Sequence, residues 1–392
     1  MAGLGLALGG GGSKGIYQLG AWKAFREIGL AFDAIAGTSI GSINGAFMAV
    51  DDYEGACRMW QNLSIGQCLA FAAPQNLKSN DLLSLGNAGV LVKELFVHHA
   101  LDTQPMRDMI SFYIKEEKLR SSMIRYGLMT AVLPDLSPRP LWIQDIPQNQ
   151  LIDYIMASAR LPGLEPVKID GQRYIDGGVA ENVPLSMLKK QGFRHIVAID
   201  LSAARPGVHS PFLDNIQLTY IHNHLDLGKT LDLTPEILEK NHTLGYLDAS
   251  KAFGRLSGDY YAFENDDYAQ LAKRFDPDML AGLEQAALAY DLKRTVIYRA
   301  QDFVDLILKR RHEVQADYEA RRQSMHIDKK IKAIISGQLK VLNLLPSIRL
   351  SLLIELYAKA KQNRSFLAVP LRYFPNLELA ARVLMAMDQN CE

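Results

Sequence analysis

The sequence predicts an α/β protein: a mainly parallel central sheet with helices on both faces, followed by a mainly α-helical C-terminal region. Three observations carry this reading. Strand and helix signals alternate over the first 50 residues, glycine-rich turns fall where strands run into helices, and helical spacing dominates after about Ser202. The expected division is an α/β domain at 1–260 and a helical region at 261–392.

The apolar run Leu4 to Leu8 ends at Gly9 to Gly12 and reads as a buried strand. It has no preceding Lys or Arg and makes a poor secretory signal. Gly15 to Ile28 has helix-like spacing through Ile16, Leu19, Trp22, Ala24 and Phe25. Phe32 to Gly37 reads as a second strand and Ile40 to Val50 as a second helix, an order that favours parallel pairing. Tyr126 to Val132 and His195 to Leu201 read as further strands, with helices at Asp153 to Ala159 and Pro184 to Gln191. Glu236 to Phe253 is a helix expected to pack on the sheet. Asp278 to Arg311, Glu313 to Ile335 and Ser347 to Lys361 read as separate, charge-rich helices.

The 392 residues are 48% apolar and 22% charged, which fits a packed globular chain and excludes a disordered one. Lys and Arg number 43, as do Asp and Glu, so no global basic field points to nucleic acid. Lys293 to Arg364 is the local exception, with 16 Lys and Arg against 7 Asp and Glu. There Leu339, Leu342, Leu345, Leu352, Leu353 and Leu356 lie beside Lys340, Arg349, Lys359 and Lys361. Packing as an ordinary amphipathic helix on the α/β domain is the favoured explanation, and peripheral docking on an anionic bilayer is the functional one. Three cysteines, Cys57, Cys68 and Cys391, fit neither a disulfide scaffold nor a four-ligand zinc site, so the expected location is cytoplasmic. No cluster has calcium or zinc spacing, and neither a metal nor another cofactor is expected.

Two motifs carry the chemistry. Gly9 to Gly12, Ser13, Lys14 and Gly15 lie between a strand and a helix, where glycines can turn several N–H groups toward one anion. The phosphate-loop and dinucleotide patterns both fail here, and a plain tight turn is the structural alternative. Gly37-Thr38-Ser39-Ile40-Gly41 is a Gly-x-Ser-x-Gly directly after a strand and before a helix, the context of a nucleophile elbow. Its structural alternative is a helix cap. Asp176 ends a short extended segment and precedes Gly177 and Gly178, as a base or as part of a hairpin turn.

Together these residues resemble the patatin-like phospholipases. Gly10 to Gly15 looks like the family's oxyanion loop, with Lys14 where many members carry Arg, and Gly37 to Gly41 is similar to its serine elbow. Ala157-Ser158-Ala159-Arg160-Leu161-Pro162 is similar to its Ala-Ser-x-x-x-Pro block, Asp176-Gly177-Gly178 to its Asp-Gly-Gly block, and Asn182-Val183-Pro184 follows as in relatives. The likeness covers about Leu4 to Leu201, weakens through Leu244 to Ala249, and says little about the last third.

The resemblance implies a three-layer patatin-like fold and a Ser39–Asp176 dyad without histidine. Gly10, Gly11, Gly12 and Ser13 would form the oxyanion hole, with Lys14, Gly15, Gly37, Ile40, Gly41, Gly177 and Gly178 in support. It also implies acyl-ester hydrolysis of a phospholipid or another acyl lipid through an acyl-enzyme. A free Asp is a weak base for a serine, so Asp176 is expected to be mostly buried. The rival triad would add His195, but that residue begins its strand, whereas parallel-sheet sites lie beyond C-terminal strand ends. A general carboxylesterase and a non-catalytic or regulated signalling module are the alternative functions.

Overall fold

The computed structural model describes residues 3–63, 70–71, 101–160, 165–202, 215–324, 344–362, 374 and 376–389. The chain divides into two compact units, Met1–Ala252 and Phe253–Glu392. The division precedes residue 260, and the N–H groups of Asp259 and Tyr260 already donate to Glu284 of the second unit. No helix among the described residues is long and apolar enough to cross a membrane.

The first unit is built on an eight-stranded sheet. β1 (Leu4–Leu8), β2 (Ala34–Thr38), β5 (Arg125–Val132), β9 (His195–Asp200) and β10 (Gln217–His222) run parallel in the order β10-β9-β1-β2-β5. β3 (Ala70–Phe71) and β4 (Leu101–Asp102) form a separate antiparallel pair. β6 (Ser137–Trp142) pairs antiparallel with one edge of β5. The other edge of β5 is shared: β2 takes Arg125 to Met129, and β8 (Gln172–Asp176) takes Thr130 to Val132 in the opposite direction. β7 (Val167–Ile169) completes a hairpin with β8 through Asp170 and Gly171. Both turn residues have positive φ, 48° and 82°, as a two-residue type I′ turn requires. The Asp-Gly hairpin turn is therefore at 170–171, and Asp176 stands at the far end of the strand.

Strand alternation sends side chains to two faces. Leu6, Leu8 and Ile35 face α2 (Ile40–Ala49), whose Gly45 lies against Leu8, Ile35 and Tyr126. Ala7, Ala34, Ala36, Ile196 and Ala198 pack on the other face with Met187 and Leu188 of α7 (Leu185–Lys190). α1 (Ile16–Ile28) ends at Gly29, φ 77°, with the N–H groups of Gly29 and Leu30 returning to Arg26 and Phe25 carbonyls. It packs along α8 (Pro235–Ala252), and a Cβ on Gly20 or Gly245 would run into the other helix's backbone. Asp248 of α8 secures the pair by accepting from Tyr17 Oη at 2.8 Å. α3 (Tyr53–Asn62), α4 (Gln104–Tyr113), α5 (Glu116–Arg120) and α6 (Leu151–Ser158) complete the helices described in this unit. The sheet is mostly parallel with helices on both faces, as expected.

The second unit is mainly helical: α9 (Asn265–Arg274), α10 (Pro277–Ala289), α11 (Ala300–Ser324), α12 (Pro346–Gln362) and α13 (Glu378–Gln389), with a short parallel pair β11 (Ala262–Phe263) and β12 (Ile297–Tyr298). The helix expected over Asp278 to Arg311 is interrupted. α10 stops at Tyr290, Asp291 takes a left-handed φ of 56°, and Ile297 and Tyr298 pair with β11 before α11 begins. α11 then runs through Arg311 to Glu313 without a break. Leu352, Leu353 and Leu356 are fully buried in the core of this unit, so these three leucines pack within the helical unit itself, whereas the favoured explanation of the basic stretch has them packing on the α/β domain. Leu345 is exposed, while Leu339, Leu342 and Lys340 lie outside the described residues.

Candidate active site

Ser39 follows the last residue of β2 and caps α2 with φ 56° and ψ −126°. A non-glycine residue held there is strained, and such strain persists only where surrounding contacts enforce it. The enforcement is visible. A Cβ on Gly37 would collide with the Gly41 backbone, and one on Gly41 would collide with Leu8, so both flanks of the turn must be small. The Ser39 N–H donates to Ser158 Oγ at 3.0 Å, and Ser158 Oγ donates to the Met129 carbonyl at 2.7 Å. The Ser39 hydroxyl makes no capping bond to α2. It stands near enough to the Asp176 carboxylate to lower its pKa.

Asp176 reaches Ser39 because β2 and β8 meet end to end along β5: Thr38 pairs with Met129 and Asp176 with Thr130. A Cβ on Gly177 would overlap the Met129 carbonyl, so the glycine permits this approach. The Asp176 N–H donates to the Arg160 carbonyl at 3.3 Å, and Asp176 Oδ1 accepts from the Gly178 N–H at 2.7 Å. Ser39 and Asp176 are both buried. Burial pushes the Asp176 carboxyl up to about 6, against the smaller lowering effects of the Ser39 hydroxyl and the Gly178 N–H.

The glycine run passes beside this pair. A Cβ on Gly10 would lie 3.0 Å from Ser39 Cβ. Its N–H is engaged by the backbone and side-chain oxygens of Asn182, at 3.3 and 3.2 Å. The Ser13 N–H donates to the Thr230 carbonyl at 2.8 Å. Gly10 and Ser13 thus direct their N–H groups away from a common anion, which corrects the expectation of four converging donors. Gly11 and Gly12 have no backbone N–H partner among the described residues. Gly12 holds φ 60°, and a Cβ there would overlap the Thr230 carbonyl. Gly15 abuts Ile40, and Lys14 leaves the site to pair with Asp226 at 2.9 Å.

A cavity of about 80 Å³ opens at Ser39. Its wall is largely apolar, with Met59 from α3, Met106 and Met109 from α4, and Met156 from α6; Leu231 and Leu233 close another part. Flexible thioethers suit a surface that fits varied apolar chains. This wall escaped the reading of the sequence, although Met106 and Met109 lie at helical i, i+3 spacing. His195 is at the opposite end of the sheet, paired with Leu4 at the start of β1, and the structure does not bring it to Ser39. His242 instead meets Tyr53 Oη at 3.2 Å, while His98 and His99 lie outside the described residues.

The profile of the family described as patatin-like phospholipase matches residues 6–189. A lysophospholipase, NTE1, of Scheffersomyces stipitis is 30% identical over 213 residues, covering 51% of this chain and 12% of that protein. The patatin-like phospholipase domain-containing protein ZK370.4 of Caenorhabditis elegans is 26% identical over 215 residues, covering 51% of this chain and 14% of that one. The chain thus spans 12–14% of the length of these two relatives. The crystal structure of VipD from Legionella pneumophila aligns with 97% of this chain over 91% of its own, at a TM-score of 0.40 and 14% identity. Residues 6–189 of this chain thus match a patatin-like phospholipase domain.

Proposed function

We propose that the chain is a serine acyl hydrolase that cleaves fatty acyl esters of membrane lipids, with Ser39 as nucleophile and Asp176 as general base. The observation that carries the reading is the placement of the strained Ser39 beside a buried carboxylate whose pKa is raised to about 6. Such a carboxyl is a stronger base than a free aspartate yet remains mostly ionised at neutral pH. The names of the relatives, lysophospholipase and patatin-like phospholipase domain-containing protein, support an acyl lipid as substrate.

In this mechanism the Ser39 proton passes to Asp176 as Oγ attacks the ester carbonyl. The developing oxyanion is met by the N–H groups of Gly11 and Gly12, with the positive end of α2 adjacent. Asp176 returns the proton to the leaving alcohol, and an acyl-Ser39 intermediate remains. Water then gives a proton to Asp176, attacks the acyl carbon and releases the fatty acid, with the proton returning to Ser39. No step in this sequence requires a metal or another cofactor. The dyad acts without His195, which is at the wrong end of the sheet.

Release of fatty acid from lysophospholipid micelles and mixed phospholipid vesicles tests the reading. Wild type should release it, and Ser39→Ala and Asp176→Asn should each lose at least about 10³-fold. Equal release by Ser39→Ala and wild type would refute the assignment. Ready cleavage of short soluble esters with no lipid hydrolysis would favour the general carboxylesterase.

A further inference from the structure

The cavity beside Ser39 carries one charged side chain among its described lining residues, Arg160. Its backbone is fixed next to the dyad, since its carbonyl accepts from the Asp176 N–H. The half-buried guanidinium donates through Nη1 to Thr103 Oγ1 at 2.8 Å and through Nε to the Glu165 carbonyl. Both acceptors are neutral, and among the described residues no carboxylate forms an ion pair with it. The exposed Glu165 carboxylate acts on it only from a distance, and burial lowers the guanidinium's pKa. A desolvated cation facing an apolar cavity has an electrostatic demand that the protein leaves unmet. A phosphate matches the fork of a guanidinium and carries the required charge.

We infer that Arg160 binds the headgroup phosphate of an acylated glycerophosphate whose acyl chain enters the methionine-lined cavity and whose ester carbonyl lies at Ser39. The inference deepens the acyl-hydrolase reading and rests on it. It makes Arg160 the residue that separates phosphate-bearing lipids from neutral glycerides. A structural role, holding Thr103 and Glu165 in place, would not discriminate between these two substrates.

The test is the ratio of kcat/KM for lysophosphatidylcholine to that for a monoacylglycerol with the same acyl chain, presented in the same detergent micelles. Wild type should favour the lysophospholipid. Arg160→Gln should lower the ratio by about 10–100-fold, mainly through the lysophospholipid KM, as expected for loss of a charge-assisted contact. Arg160→Lys, which keeps the charge without the fork, should retain an intermediate ratio and serves as the second variant if Arg160→Gln does not fold. An unchanged ratio in these variants, or a wild type indifferent to the phosphate, would overturn the inference. Failure of the underlying reading is separable: wild type would then cleave neither lipid nor p-nitrophenyl butyrate, and the inference would fall with it.

Discussion

Ser39 stands beside the carboxylate of Asp176 at the end of a strand that runs opposite to the one bearing that carboxylate. Adjacent residues of β5 set this meeting: Met129 pairs with the residue before Ser39, and Thr130 pairs with Asp176 itself. The proposed nucleophile and base are thereby held by one shared ladder, so their separation is fixed by sheet register. The Ser158 hydroxyl and the Arg160 carbonyl brace the same two residues from the end of α6. Preorganisation of this kind favours proton transfer.

The pH dependence follows from the burial of Asp176. The base must be ionised to accept the serine proton, and its pKa is about 6. We expect kcat/KM for a soluble ester to fall roughly tenfold per unit below that value and to level off above it. A profile flat from pH 4 to 8 would show that another group acts as base.

The same burial has a stability consequence of opposite sense. Because the folded pKa lies above the ordinary value of 3.8, Asp176 favours the fold below about pH 4, and that contribution is lost as pH rises through about 6. At pH 8 the ionised carboxylate therefore costs stability, by up to about 3 kcal/mol. Asp176→Asn, inactive but neutral and nearly isosteric, should raise the urea midpoint at pH 8 and change it little at pH 4. A lower midpoint at pH 8 would contradict this account.

Gly10 tests the loop that passes over the serine. A methyl group there would fall 3.0 Å from Ser39 Cβ and 2.8 Å from Asn182 Oδ1. Gly10→Ala should reduce ester hydrolysis by more than about tenfold, while the stability loss stays within the 1–3 kcal/mol common for overpacking. Thermal unfolding beside kinetics separates the two effects. Wild-type activity in the variant would show that the loop is looser than described.

The helical unit has its own buried anchor. Glu284, 3% exposed, accepts N–H bonds from Asp259, Tyr260 and Tyr261. Glu284→Ala would strand these donors and should destabilise that unit by about 3 kcal/mol or more. Limited proteolysis of the full chain should then cut after Phe253 at a lower temperature than in wild type; an unchanged pattern would mean that other contacts carry the segment.

Much of the first unit was legible because its signals are local. Buried strands such as Leu4 to Leu8 and β9 are built on short apolar runs, Ile196 to Ile199 in the latter, and the helices beginning at Ile16 and Ile40 follow glycine turns. β10 was missed, since Gln217 to His222 is an edge strand with mixed burial and no apolar run. The break between α10 and α11 was missed because Asp291 and the β11–β12 pairing interrupt a spacing that is helical on both sides. At the site, the Gly-x-Ser-x-Gly and Asp-Gly-Gly motifs marked the residues that the structure brings together. Their meeting depends on where β2 ends along β5, and the engagement of Gly10 by Asn182 joins residues 172 positions apart. Contacts of that range leave no periodic trace in one sequence.

The most direct test of the central claim is active-site labelling with a fluorophosphonate, followed by peptide mapping at several pH values. The account predicts one adduct, on Ser39, absent from Ser39→Ala, strongly slowed in Asp176→Asn, and forming faster as pH rises through about 6. Labelling at a different serine, or equal labelling of wild type and Ser39→Ala, would contradict it.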